Sequence, residues 1–215
     1  MKKLVMINII TIVLLVIIGI GGFYFYNQST NYVKTENAQI DGEQIKIAAP
    51  ASGQISELKV AEGDKLKEGD TFAKVQVKSE TGDVQTMDIP MPVEGTVVKM
   101  SAQKGSMAQA GQPLAYAYNL DKRYVTANID ETEVKDVETG QVVDIAIDGQ
   151  DSKVKGKVVH VGQATASSFS LMPSSNSDGN YTKVTQVIPV KIEFDSQPSN
   201  GVLPGMNAEV SIHKN

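Results

Sequence analysis

"PASGQISELKVAEGDKLKEGDTFAKV" (Pro50–Val75) and "PVEGTVVKMSAQKGSMAQAGQPLAYA" (Pro92–Ala117) are two renderings of one pattern. Pro50 and Pro92, Gly53 and Gly95, Gly63 and Gly105, and Gly69 and Gly111 all recur at an offset of 42 residues. Such spacing marks a duplicated structural unit, because glycine suits places where the chain needs positive φ or close backbone approach. Glu-Gly-Asp occurs twice in the first copy, at 62–64 and 68–70, as tight turns require. Between the turns run Leu58 and Val60, then Ala73, Val75 and Val77, then Leu114, Tyr116 and Tyr118. These short runs are strand signals, and none has the length or period of a helix.

The joint between the copies is polar: "VQVKSETGDVQTMDIPMP", Val75–Pro92. Two antiparallel helices with a turn need about 30 residues, whereas Lys78–Asp88 is 11. Thr81-Gly82-Asp83 is turn chemistry, and Val84 and Ile89 show no heptad. The joint is therefore expected to be a tight polar β-hairpin.

Upstream, Leu4–Tyr26 runs 23 residues without a charge. As a helix it would be about 35 Å long, enough for a hydrocarbon core of about 30 Å. Phe23 to Tyr26 place aromatic side chains where the interface should lie, and Lys2 and Lys3 predict a cytoplasmic N-terminus. A cleavable signal peptide would have a shorter apolar region followed by small residues, so the reading is a signal anchor. The expected order is a cytoplasmic tail at 1–3, a transmembrane segment from Leu4 to Tyr26, and a polar tether at 27–34. There is no cysteine, which excludes disulfides, thiolate chemistry and cysteine-ligated zinc. The net charge is −5; beyond Lys3, 18 basic residues face 25 acidic ones. That is a poor surface for nucleic acid, so no such partner is expected.

Beyond Lys122 further strands are expected. Val125, Ala127 and Ile129 alternate with polar residues, as do Ile188, Val190, Ile192 and Phe194, and then Ala208, Val210 and Ile212. Pro189 marks an edge or an outward-facing position. "DETEVKDVETG" reads as one short helix capped by Asp130, with Val134 and Val137 inward and Gly140 ending it. Its carboxylates, Asp130, Glu131, Glu133, Asp136 and Glu138, read as an acidic helix start spread around the surface rather than a metal site. His213 is expected on the exposed side of the last strand, and His160 lies in another strand. The two form no zinc-peptidase pattern, and no G-x-S-x-G elbow is present, so no catalytic residues are assigned and no enzyme is expected. Ala164–Ile192 begins as a Ser/Asn-rich surface loop with an apolar tip of Phe169, Leu171 and Met172. Such a tip is either pinned onto its own barrel or offered to a partner.

The P-x-x-G…G…G-x-x-L pattern resembles the half-motif of biotinyl/lipoyl domains, in which two halves interlock into a flattened β-sandwich, here over 47–117. Neither half would then be stable alone. Carriers of this kind hold a modified lysine at the hairpin tip, but Lys78 in "QVKSET" and Lys99 beside Met100 lack that setting. Both read as solvated strand lysines, and no cofactor is expected. Further resemblances follow in chain order. "SFSLMP" (Ser168–Pro173) with "GNYTKVTQVIPVKI" (Gly179–Ile192) is similar to EmrA-type membrane fusion proteins. "GVLPGMNAEVSI" (Gly201–Ile212) resembles the close of the adaptor β-barrel, and "ENAQIDG" (Glu36–Gly42) its opening strand.

The chain thus resembles the HlyD/EmrA-like efflux adaptors in a short form without the α-helical hairpin. The resemblance implies an all-β fold: a lipoyl-like sandwich at 47–117 and a discontinuous barrel at 35–46 and 118–215, behind the N-terminal transmembrane helix. It implies an adaptor of an export or multidrug efflux system, partnered by an integral-membrane transporter such as a major facilitator drug exporter, and a homo-oligomer. An ATP-driven partner stays open. Without the hairpin, no outer-membrane channel is expected, which points to a Gram-positive-type envelope. A membrane-tethered binding or envelope-sensing module, or a carrier domain, are the other classes compatible with the sequence.

Overall fold

Lys2–Asn31 form one 30-residue helix, α1, and the chain passes directly into strand β1 (Tyr32–Asp41). In this computed structural model, residues 2–78, 83–169, 185–199 and 201–214 are described. The expected tether at 27–34 is therefore shared between the end of α1 and the start of β1. Its polar sequence carries no strand period, but pairing supplies what periodicity lacks: Tyr32 lies opposite His213 and Val33 opposite Ile212. The N–H of Lys214 also donates to the Asn31 carbonyl at 2.9 Å. Of α1, side chains are described for Met6, for Ile10–Phe23 and for Asn31. Among the described residues no helix is long and apolar enough to cross a membrane; Ile10–Phe23 is shorter than the roughly 20 residues needed.

The chain divides into two compact units, one of 1–39, 125–196 and 206–215, the other of 40–124 and 197–205. The second contains the repeat. Its strands are β2 (Gln44–Ala48), β3 (Gly53–Leu58), β4 (Lys65–Leu66), β5 (Thr71–Lys78), β6 (Val84–Pro90), β7 (Gly95–Met100), β8 (Met107–Ala108) and β9 (Pro113–Tyr118). They form two four-stranded sheets, β2-β9-β7-β4 and β6-β5-β3-β8. The 42-residue offset carries β2 to β6, β3 to β7, β4 to β8 and β5 to β9. Each sheet consequently takes two strands from each half. Ile45, Ile47, Ile55, Phe72, Val75, Ile89, Met91, Val97 and Leu114 fill the space between the sheets. Phe72 has no exposed surface.

The other unit is a closed barrel. It adds β10 (Tyr124–Asp130), β11 (Val142–Ile147), β12 (Val154–Val161), β13 (Val187–Phe194) and β14 (Asn207–His213) to β1, in the order β1-β10-β13-β12-β11-β14. Alternation places Val125, Ala127, Ile129, Val143, Ile145, Val190, Ile192, Val210 and Ile212 in its core. Pro189 lies on an interior strand of a sheet without edges. It is accommodated beyond the last β12–β13 pair, Val161 with Val190, where its carbonyl accepts the Gly162 N–H at 2.8 Å.

Three details differ from the sequence expectation. The short helix is a single 3-10 turn, Val134–Asp136, whose first residue follows Glu133 rather than Asp130 at the cap. Asp130 instead turns its carboxylate onto the Thr132 N–H and hydroxyl, at 2.9 and 2.8 Å. That local loop closure competes with helix initiation. Second, β2 begins at Gln44 and β9 runs to Tyr118, so the strands of the sandwich extend slightly beyond 47–117. Third, His213 is half-buried and bonded: its Nε2 lies 2.8 Å from Asp144 Oδ2, and its ring meets Tyr32 edge-on at 4.7 Å.

Candidate functional site

The joint between the halves is a ladder. β5 and β6 pair antiparallel from Thr71–Pro90 out to Lys78–Val84, which leaves only 79–83 to turn the chain. The expected turn residues Thr81 and Gly82 lie outside the described residues. Lys78 is exposed at the end of β5, and Lys99 is exposed on β7.

The repeat glycines build a reciprocal lock. Gly63 donates its N–H to Val97 in the other half at 2.8 Å, and Gly105 donates to Ile55 at 2.7 Å. Gly69 bonds Met91 and Gly111 bonds Ala49, both at 2.9 Å. These four turn with φ of 96°, 87°, 85° and 78° for Gly63, Gly105, Gly69 and Gly111, a region that favours glycine. Gly53 and Gly95 serve differently. A Cβ on Gly53 would lie 2.2 Å from the Gln76 carbonyl oxygen, and one on Gly95 would lie 2.9 Å from Ile45 Cδ1 and 3.0 Å from the Tyr118 oxygen. Pro50 is exposed just before β3, and Pro92 likewise just before β7.

Arg123 is a structural residue that patterning did not single out, although it is the only arginine in the chain. It is buried, and its guanidinium donates to three carbonyls of the 197–205 segment. Nη2 reaches Pro198 at 2.8 Å, and Nη1 reaches Ser199 at 3.1 Å and also Val202. Gln197 Nε2 returns a bond to the Arg123 carbonyl at 3.1 Å. A planar fork can satisfy several diverging oxygens where an ammonium would not. Burial pushes the guanidinium pKa down, with Asp121 opposing the shift.

On the barrel, an open groove of ≈ 530 Å³ is lined by residues including Lys34, Glu36, Asn128, Asp130, Glu133 and Glu209. Thr35 Oγ1 donates to the Asn128 carbonyl at 3.0 Å beside it. Of the acidic cluster read in the sequence, Asp130 and Glu133 share this groove. Asp136 instead pairs with Lys214 at 3.0 Å. Among the described residues no group of His, Asp or Glu is placed to hold a metal ion. Phe169, the first residue of the expected apolar tip, is the last of a 3-10 turn, Ala166–Phe169; Leu171 and Met172 lie outside the described residues.

Comparison with known proteins also finds two domains in this chain. Residues 43–119 match a barrel-sandwich hybrid domain of the YhbJ type, and 122–213 match an AAEA-like β-barrel domain. YhbJ of Bacillus subtilis, whose name assigns it provisionally to an efflux system, is 46% identical over 211 residues, covering 98% of this chain and 92% of that protein. The multidrug export protein EmrA of Escherichia coli is 35% identical over 127 residues, 58% of this chain but 33% of that protein. The crystal structure of ZneB from Cupriavidus metallidurans superposes with a TM-score of 0.64 at 17% identity, covering 86% of this chain and 100% of that one. This last likeness is one of fold.

Proposed function

The chain belongs to the EmrA-like membrane fusion adaptors, in a form lacking the α-helical hairpin, and we propose that it is the adaptor subunit of a multidrug efflux system. Its relatives are non-enzymatic adaptors, and it performs no chemistry of its own. α1 anchors it in the cell membrane by Leu4–Tyr26, with the N-terminus cytoplasmic and both β units outside. The described apolar side chains from Ile10 to Phe23 are between 51% and 72% exposed. Apolar surface exposed along a helix calls for lipid or a protein partner. It assembles, as a homo-oligomer, with an integral-membrane transporter of the major facilitator type, and together they form an extracytoplasmic exit path. The transporter supplies the energy.

What carries this reading is the two domains matched in order along this chain, sandwich then barrel, together with a relative covered over 92% of its length. The β5–β6 ladder closing at Lys78–Val84 supports a reach that ends near its own membrane. That favours a Gram-positive-type envelope and no outer-membrane channel. The apolar tip of Phe169, Leu171 and Met172 is the proposed docking loop. Replacing all three with Ser should reduce transporter recovered by detergent co-purification several-fold while the melting profile is kept. Undiminished recovery would remove the loop from the docking surface, and a wild-type chain that recovers no transporter would refute the adaptor reading.

A further inference from the structure

The repeat makes the two sheets of the sandwich equivalent, and that equivalence carries a change of charge. On the outer face of β2-β9-β7-β4, Lys46, Tyr116 and Lys99 form one cross-strand row, with Tyr116 opposite each lysine. Moving each position by the 42-residue offset gives Asp88, Lys74 and Glu57. These also form one row on the outer face of the other sheet, with Lys74 opposite both acids. The flanking positions that are lysine on one face are therefore carboxylate on the other.

Both rows point away from the core. Ile45, Ile47, Ala115, Ala117 and Val97 are buried on the inner side of one sheet, and Ile55, Ala73, Val75 and Ile89 on the inner side of the other. Adjacent strands are about 4.8 Å apart, so the flanking charges of each row are roughly 10 Å apart on both faces. Within the chain, Glu57 holds Lys74 at 3.3 Å. Among the described residues Lys46, Lys99 and Asp88 form no ion pair. Two lysines are thus displayed without counter-ions on a protein of net charge −5.

We propose that these two faces dock on one another between copies of this chain, head to tail, with Lys46 and Lys99 of one copy against Glu57 and Asp88 of the next. Tyr116 then lies against Lys74 of the neighbouring copy, where a ring face can receive an ammonium. The matched spacing selects register, and the opposite signs forbid like faces from meeting. Such rows contribute specificity and orientation more than raw affinity. Because the two faces differ, the contact is heterologous: repeated, it closes into a ring when its rotation divides a full turn. The inference deepens the adaptor reading and rests on it for its purpose. It is read on the chain alone, so it stands or falls separately from co-purification of a transporter.

The test uses the full chain in a neutral detergent, with sedimentation velocity as the readout. The wild type should self-associate, less so as NaCl rises from low to high concentration. K46E/K99E makes both faces acidic and E57K/D88K makes both basic. Each should weaken self-association at least about tenfold with the circular dichroism spectrum kept, and K46E/K99E should keep its melting profile; E57K/D88K should melt slightly lower, because it loses the Glu57–Lys74 pair and sets three lysines in one row. Mixing the two variants should restore assembly, and so should combining all four substitutions in one chain. A monomeric wild type would overturn the proposal, as would double variants that assemble like the wild type. Failure of both the mixture and the quadruple variant would also overturn it, pointing instead to an anionic partner of another kind on the lysine row.

Discussion

The barrel and the sandwich deal with strand edges in opposite ways. The barrel joins its first strand to its last, Val33 against Ile212 and Thr35 against Val210, so no strand is left unpaired on one side. The sandwich keeps four outer strands, β2, β4, β6 and β8, and relies on locks between its halves. β4 and β8 are two residues each, and β6 ends at Pro90; short strands and proline are familiar ways of blunting an edge. A closed barrel has little to offer another backbone, whereas a two-sheet sandwich presents two faces and several rims. The unit that is built twice is the one with surface to share.

The largest effect that would break this comparison is expected at Gly53. Its added methyl would collide with the Gln76 carbonyl, which belongs to the paired backbone of β5 and cannot swing away. Gly53→Ala should destabilise the sandwich by about 4 kcal/mol or more, while calorimetry retains a separate barrel transition. Gly95→Ala should cost clearly less, because one of its close neighbours is the flexible tip of Ile45. Loss of both transitions together would mean that the two units do not melt as distinct bodies.

Next comes Arg123→Ala, which removes a charged donor from three carbonyls. Urea denaturation should register a loss of about 3 kcal/mol, with Arg123→Lys recovering only part of it. A loss under about 1 kcal/mol would show that the 197–205 segment does not depend on the guanidinium.

The smallest effect is expected at Lys65, which bridges Asp121 at 2.6 Å and Glu94 at 3.3 Å in the open. Its hydrogen bond to Asp121 raises the lysine pKa, and the same bond lowers that of Asp121. The contribution is therefore full near neutrality. It is lost on the acid side as pH falls through the lowered Asp121 value, and on the alkaline side as pH rises through the raised Lys65 value. Lys65→Met should shift the melting temperature slightly at pH 7 and not at all below the Asp121 range. A shift that persists in acid would assign the effect to packing.

Much of the sandwich was legible because its signals are local. A glycine turn declares itself within three residues, and the 42-residue offset declares the duplication without reference to any contact. The barrel was legible strand by strand from period-two patterns such as Val125, Ala127 and Ile129. Where the chain enters each unit was not legible. Residues 27–34 are polar without a period, and only their pairing with β14 makes Tyr32 and Val33 a strand. "DETEVKDVETG" has the composition of a helix start, yet it forms only a single 3-10 turn, with the Asp130 carboxylate bonded to Thr132 instead of capping it. Arg123 forms no motif, since its ligands are main-chain oxygens about 75 residues away. Its one visible sign was that it stood alone among the 20 basic residues. Of the expected docking residues, the backbone of Phe169 is placed at the end of a 3-10 turn.

The reciprocal glycine lock also sets an order of events during synthesis. Gly63 finds its acceptor on Val97, and Gly105 donates to Ile55, so the first half cannot complete its locks until the second has left the ribosome. At 5–20 residues per second, 42 residues take about 2–8 s. The barrel waits longer still, since β1 is sealed by β14. During that interval the nascent chain exposes Phe72, Ile55 and β1 to whatever holds unfolded segments beside the growing polypeptide. Its vulnerability to proteolysis and aggregation should therefore be greatest before β9 and β14 have emerged.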